Sequence, residues 1–150
     1  MDNNAILFQY LQKWSEYTIN QSMHGFMHFM RDHDLSYSQI SVLYRIHHHG
    51  PADIVSLSRE LQISKAGAGQ LIDRMIQAGW LISKPSPTDK RSKIITLTEE
   101  GRALVLSSQT ASMDWIDEFI NQIPATHKQE IIKGIMPLIS SLKIENNKTD

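Results

Sequence analysis

Residues 64–101 read SKAGAGQLIDRMIQAGWLISKPSPTDKRSKIITLTEEG, and the type of fold can be predicted from these 38 residues. Ser64 is a good helix N-cap and Gly79 suits a left-handed C-terminal position, so a helix is predicted between them. Trp80–Lys84 and Lys93–Leu97 are short apolar segments that flank a turn rich in proline and serine, which predicts a β-hairpin with a long tip. A helix followed by a basic hairpin suits duplex DNA, because the helix enters the major groove and the tip reaches an adjacent minor groove.

The predicted helix has an apolar face for the core, formed by Ala68, Leu71, Ile72, Met75 and Ile76. The opposite face carries small residues near the start of the helix and polar residues further along. Gln70 is suited to pairing with adenine, and Lys65 or Arg74 with guanine or phosphate. The predicted DNA-reading residues are Ser64, Lys65, Ala66, Gly67, Gly69, Gln70, Asp73 and Arg74. Each glycine costs about 1 kcal/mol in a helix; either close approach to DNA offsets this cost, or the helix is simply weak.

The hairpin tip carries a carboxylate two residues before a guanidinium. Asp89 is placed to hold and aim Arg91, and an arginine presented in this way suits a narrow minor groove. The predicted wing contacts are Lys84, Asp89, Lys90, Arg91 and Ser92. Such a turn on its own is usually a solvated loop, and the preceding helix is what favours a DNA-binding wing.

Capping signals predict the remaining helices. A capping box at Ser36 and Gln39 starts a helix that stops at Gly50, and Asp53 caps a short helix, giving a helix-turn-helix with the one after Ser64. Thr98 begins a long helix predicted to reach about Ile123. Pro124 begins a final helix that Pro137 is expected to kink. Apolar residues at spacings of three and four predict one helix over residues 3–32, which packs either against a second subunit or as an ordinary long core helix.

Bulk properties exclude several classes of protein. The chain has 150 residues, a net charge of −1 and no cysteine, which fits a cytoplasmic protein without thiol chemistry. We expect neither a signal peptide nor a membrane span, because no apolar run approaches about 20 residues. Residues 59–93 nevertheless carry seven lysines and arginines against three carboxylates. A basic middle between acidic ends is typical of a local DNA-binding face, and an ordinary mixed surface is the alternative because the excess of positive charge is modest.

The chain resembles the MarR family of winged helix-turn-helix regulators. The motifs that carry the resemblance, in order, are LSYSQ (35–39), LQIS (61–64), LIDRM (71–75), GWLI (79–82), DKRS (89–92) and LTEEG (97–101). The resemblance implies a mainly α fold with a small β-hairpin wing and long N- and C-terminal dimerisation helices. We expect a dimerisation helix (residues 1–34), a DNA-binding lobe (35–100), C-terminal dimerisation helices (101–144) and a flexible tail (145–150).

The resemblance also implies a function. We expect a homodimer on a pseudo-palindromic DNA operator near its own gene, usually repressing, and released by a small aromatic or anionic effector, an oxidant or a metal. Absence of cysteine excludes a thiol peroxide sensor. An effector pocket is predicted between the first two helices and the DNA-binding lobe, and ordinary core or dimer packing is the alternative for each of its residues. Those residues are Trp14, Tyr17, Met23, Met27, Tyr37 and Tyr44.

Other functions are less consistent with the sequence. There is no Gly-rich phosphate loop, cysteine nucleophile or serine elbow, so we expect no enzyme activity and no cofactor. His24 and His28 share a helix face, and His47–His49 end a helix; we predict no metal site, although metal binding at these histidines stays open. A winged helix that docks a protein instead of DNA is the remaining alternative, and its binding would depend less steeply on salt.

Overall fold

The computed structural model describes residues 2–86 and 93–142. The chain divides after Asp114 into two compact units. The first contains α1 (Asn3–Asp32), α2 (Tyr37–His49), α3 (Ile54–Glu60), α4 (Lys65–Gln77), β1 (Leu81–Pro85), β2 (Lys93–Leu97) and α5 (Glu99–Ala111). The second contains α6 (Trp115–Gln122) and α7 (Ala125–Ser141). No helix in the described residues is both long and apolar enough to cross a bilayer.

Side-chain caps start the helices where the sequence predicts them. At α2 the Ser36 hydroxyl accepts from the Gln39 amide at 3.3 Å, and the Gln39 side chain accepts from the Ser36 amide at 2.7 Å. Asp53, Ser64 and Thr98 each accept one backbone N–H in the first turn of α3, α4 and α5. These bonds satisfy amides that have no partner within the helix, and each cap contributes about 1 kcal/mol.

The core of the first unit lies between the helix-turn-helix and the hairpin. Its fully buried side chains come from α2 to α5 and both strands: Ile40, Val42, Leu43, Leu57, Ile72, Met75, Leu81, Ile95 and Val105. From α1 only Phe29 and Met30 are buried. Helix α4 thus packs on the core through one of its faces. Most of α1 contributes no buried residue.

The hairpin joins the core through a contact that the sequence did not reveal. Strands β1 and β2 pair antiparallel from Leu81 opposite Leu97 to Pro85 opposite Lys93. Ala52, between α2 and α3, forms an isolated bridge with Ile95, through N–H···O bonds of 3.1 and 2.8 Å. A bridge of one residue has no periodicity to detect, because strand patterns need several alternating positions.

The base of the hairpin is closed by Thr98. Its hydroxyl donates to the Gly79 carbonyl at 2.6 Å and accepts from the Gly101 amide at 3.0 Å, and its backbone N–H donates to the Trp80 carbonyl at 3.1 Å. Gly79 has a φ of +80°, which glycine adopts at little cost. A Cβ at Gly101 would overlap the Trp80 carbonyl oxygen. The end of α4 and the start of α5 are thus in direct contact.

The prediction that one helix runs from Thr98 to about Ile123 is wrong. Helix α5 ends at Ala111, and α6 begins at Trp115. Hydroxyl groups in the last turns donate to main-chain carbonyls: Ser108 to Val105 at 2.7 Å, Thr110 to Leu106 at 3.2 Å and Ser112 to Gln109 at 2.7 Å. Such bonds compete with the helix ladder, and serine and threonine are weak helix formers, so this segment ends readily.

In the second unit α7 begins after Pro124, as predicted, and continues through Pro137. None of the described residues of α6 and α7 is buried. The apolar side chains of α7 are instead exposed: Ile131, Ile132, Ile135, Met136, Leu138 and Ile139. The amphipathic pattern of these helices therefore lacks the burial that normally accompanies it within one subunit.

Replacing Gly101 tests the close approach at the hairpin base. In Gly101→Ala the new Cβ would overlap the Trp80 carbonyl, so we expect the unfolding free energy to fall by about 1–3 kcal/mol. Gly69→Ala is the matched control, since its Cβ meets nothing within 4 Å and helix propensity favours alanine by about 1 kcal/mol. Urea denaturation followed by circular dichroism measures both changes. Equal destabilisation by the two substitutions would contradict the steric constraint.

Candidate nucleic-acid interface

Helix α4 presents the two faces that the sequence predicts. Ala68, Leu71, Ile72 and Met75 are buried. On the other side most of the predicted DNA-reading residues are exposed and two are half-buried. The exposed residues are Ser64, Lys65, Ala66, Gln70, Asp73 and Arg74, and the half-buried ones are Gly67 and Gly69. The orientation of the helix is confirmed, whereas the DNA-reading role of its outer face stays a prediction.

The start of α4 is shaped by its small residues. The Ser64 hydroxyl accepts from the Gly67 amide at 3.0 Å, and a Cβ at Gly67 would lie 3.2 Å from that oxygen. Around Gly69 nothing lies within 4 Å of the position that a Cβ would occupy. Further along, the Arg74 Nε donates to the Gln70 carbonyl at 3.2 Å. This surface lets another molecule approach the helix backbone closely, with Gln70 and Arg74 at its border.

The hairpin supplies a cation on each strand. Lys84 on β1 is exposed, and Lys93 is the exposed first residue of β2, opposite Pro85. The predicted wing-tip residues Asp89, Lys90, Arg91 and Ser92 lie outside the described residues.

An open cleft of about 910 Å³ lies beside the start of α4, between α2, α3 and β2. Its basic residues are Arg45, Arg59, Lys65 and Lys93. Sequence reasoning named only Lys65 among them as a contact, and counted Arg59 and Lys93 as part of a basic stretch. Arg59 and Lys93 lie far apart along the chain, and only the net charge of residues 59–93 gave a signal for them. Arg45 lies outside that stretch, and nothing in the sequence pointed to it.

Two of the charged residues in the cleft have structural partners. The Arg45 Nε donates to Glu60 at 2.6 Å, and its Nη1 donates to the Gly50 carbonyl at 3.1 Å, which ties α2 to the end of α3. Asp53 accepts from the Ser56 amide at 2.9 Å. This backbone hydrogen bond lowers the pKa of the Asp53 carboxyl, because the charged form is the better acceptor.

The predicted effector-pocket residues lie on the first two helices, four of them on α1 and two on α2. Trp14, Tyr17, Met23 and Met27 are exposed on α1, and Tyr37 is exposed at the start of α2. Tyr44 is half-buried, with its hydroxyl 2.9 Å from that of Ser108 and its ring against Phe26. None of the six lines the basic cleft. Their role in binding an effector stays a prediction.

Four of the seven histidines form two ring pairs. The rings of His24 and His28 on α1 are 4.5 Å apart, and Arg31 contacts His28 Nδ1. His47 and His48 lie 5.0 Å apart at the end of α2. Among the described residues no group of three or more histidine or carboxylate side chains is arranged to hold a metal ion. Burial, His48 and Arg102 lower the pKa of His47, whose Nδ1 is buried without a hydrogen-bond partner among the described residues.

Comparisons with known proteins agree on the fold. Residues 35–93 match the model of the MarR family. A Bacillus cereus relative, described as an uncharacterized HTH-type transcriptional regulator, is 24% identical over 117 residues, 78% of each chain. A transcriptional regulator from Thermotoga maritima has a TM-score of 0.72 at 20% identity, covering 88% of this chain and 92% of that chain. A mutant MarR from E. coli complexed with operator DNA has a TM-score of 0.55 at 20% identity, covering 91% and 100%. The shared fold is a winged helix.

The lowered pKa of His47 predicts that the stability of the first unit depends on pH. Because folding lowers the pKa of His47 from 6.5, the unfolded chain takes up the proton more readily, so stability falls as pH drops through about 6.5. We expect His47→Gln to flatten this dependence between about pH 5 and 7.5, as measured by thermal unfolding. His49→Gln, which removes an exposed histidine from the same helix end, is the control. An equal flattening in that variant would show that burial of His47 is not the cause.

Proposed function

We propose that this chain is a member of the MarR family, whose model its residues 35–93 match, and that it is a sequence-specific DNA-binding transcriptional regulator. The observation that carries this proposal is the division of α4 into a buried apolar face and an exposed face of small and polar residues. Burial fixes the helix to the core, and the exposed face at Ser64–Arg74 enters the major groove. Gln70 and Arg74 have the side chains that recognise adenine and guanine there.

The hairpin supplies the second contact. Strand β2 pairs with the α2–α3 connection through Ala52 and Ile95, and the bond of Thr98 to the Gly79 carbonyl holds the hairpin base at the end of α4. Arg91, aimed by Asp89, extends into the flanking minor groove, and Lys84, Lys90 and Ser92 contact the adjacent backbone. An arginine suits this position because a narrow minor groove has a strongly negative potential.

The working unit is a homodimer. In the first half of α1 Leu7, Phe8 and Tyr10 are each more than half exposed, and the apolar side chains of α7 are exposed as well. This is more apolar surface than a monomer usually leaves in water. We assign dimerisation to residues 1–34 and 101–144, with 35–100 as the DNA-binding lobe and 145–150 as a flexible tail. Half-sites of a pseudo-palindromic operator then lie about 34 Å apart, one helical turn.

Regulation follows from the spacing of the two lobes. A small aromatic or anionic effector bound beside Trp14, Tyr17, Met23, Met27, Tyr37 and Tyr44 would alter how the long helices hold the lobes. DNA affinity falls when the effector binds more tightly to a dimer in which the spacing of the two lobes does not match the spacing of the operator half-sites. The regulator acts in the cytoplasm as a repressor that controls its own gene, without catalysis or a cofactor.

Fluorescence anisotropy of the purified protein tests this function. We expect tight binding to DNA from upstream of its own gene, saturating at two chains per duplex, and much weaker binding to a scrambled duplex. Specific sites are typically bound about 10³-fold or more tightly than non-specific DNA. Equal, weak and salt-insensitive binding to both duplexes would instead favour a winged helix that docks a protein.

Two substitutions separate base reading from backbone contact. Gln70→Ala removes a predicted bidentate contact, so we expect discrimination to relax at one base position by about 1–3 kcal/mol. Arg91→Ala removes a predicted minor-groove contact, and we expect weaker binding with the fold unchanged. Competition with operators mutated one base at a time measures both effects. A uniform loss for Gln70→Ala would make it a phosphate contact, and unchanged affinity for Arg91→Ala would contradict the wing role.

A further inference from the structure

The basic cleft combines residues from α4 and from the hairpin. Lys65, the first residue of α4, lies on its border, and so do Ser86, just after β1, and Lys93, at the start of β2. Arg59, near the end of α3, lies on the same cleft. The cleft thus lies between α3 and the hairpin, beside the start of the helix proposed for the major groove.

The charges of the cleft are not balanced within the described part of the chain. Arg45 is neutralised by Glu60, at 2.6 Å. Arg59, Lys65 and Lys93 form no ion pair with any residue in 2–86 or 93–142. Asp53 is the carboxylate on the lining, and its oxygen already accepts the Ser56 amide. Three cations against one engaged carboxylate make the cleft a site for a polyanion.

The geometry of duplex DNA identifies the polyanion. Adjacent major and minor grooves are separated by one sugar–phosphate backbone, so a protein with a helix in one groove and a wing in the next must straddle that backbone. The cleft borders both elements, through Lys65 at the start of α4 and through Ser86 and Lys93 at the hairpin. At about 910 Å³ it is much larger than a single phosphate and suits a stretch of backbone. Ile54 and Val55 on its lining supply apolar contact for the sugars.

We propose that this cleft holds the DNA backbone between the two grooves, with Arg59 and Lys93 as phosphate contacts beside Lys65. The proposal rests on the proposed function and adds two DNA-positioning residues to it. Phosphate contacts fix the register of the protein on the duplex and carry no base information. Loss of Arg59 or Lys93 therefore weakens binding to every sequence by the same factor.

A salt titration of Arg59→Gln, Lys93→Gln and the double variant tests this role. Binding is measured by anisotropy on the upstream operator and on a scrambled duplex between roughly 50 and 200 mM salt. Each substitution occurs twice in a dimer, so we expect the slope of log K against log salt to become shallower by about 1.8 per substitution. The ratio of operator to scrambled affinity should stay at the wild-type value.

Matched variants separate charge from packing. Arg59→Lys keeps the cation, and we expect it to keep the wild-type slope. Arg102→Gln makes the same charge change at an exposed residue of α5 that does not line the cleft, and we expect the wild-type slope there too. Thermal unfolding checks that each variant is folded. A wild-type slope in the folded double variant overturns the phosphate role of the cleft.

The outcomes also distinguish this inference from the function on which it rests. If the wild-type protein prefers its operator but the double variant keeps the slope, only the inference fails. If the wild-type protein shows no salt-dependent DNA binding, both fail. Calorimetry with inorganic pyrophosphate tests whether the cleft binds a small anion instead of the DNA backbone. Pyrophosphate binding that the double variant loses, while its DNA binding is unchanged, would overturn the inference in favour of a small anion.

Discussion

The hydroxyl of Thr98 holds together α4, the hairpin and α5, and the geometry of the first unit depends on this junction. It donates to the Gly79 carbonyl at the end of α4 and accepts from the Gly101 amide at the start of α5. Strand β1 begins shortly after Gly79, and strand β2 ends just before Thr98 and α5. Because Gly101 has no side chain, α5 approaches the Trp80 carbonyl closely enough for both bonds to form. The position of the wing relative to α4 follows from this junction and from the bridge of Ala52 to Ile95.

The packing of the hairpin on the helix-turn-helix brings positive charges together in one cleft, although the chain as a whole is not basic. The protein has a net charge of −1, yet Lys65, Arg59 and Lys93 converge on one cleft. Charges that line one cleft act together on a ligand, because the Debye length in cells is about 8 Å. Arg45, although it lines the same cleft, is engaged by Glu60 and the Gly50 carbonyl and serves the packing of α2 on α3. Neighbouring cations therefore have different roles, which depend on their partners.

Local interactions made much of the fold predictable. Caps at Ser36, Asp53, Ser64 and Thr98 bond to amides three residues away, so short motifs were sufficient to place the helix starts. The end of α5 was not predictable in the same way. Apolar spacing continues through residues 112–114, and the competing bonds of the serine and threonine hydroxyls depend on a backbone that is already folded.

Helical periodicity alone was sufficient to predict which face of α4 is buried, because it separates Ala68, Leu71, Ile72 and Met75 from the polar residues between them. The order of helix-turn-helix, hairpin and flanking helices was predictable from the sequence as well. Two other features emerge only in the folded chain: Lys93 shares a cleft with Arg59 and Lys65, and Ala52 pairs with Ile95. The physical reason is that these contacts join the helix-turn-helix to the second strand of the hairpin. Their meeting depends on core packing between distant segments and has no local signature in the chain.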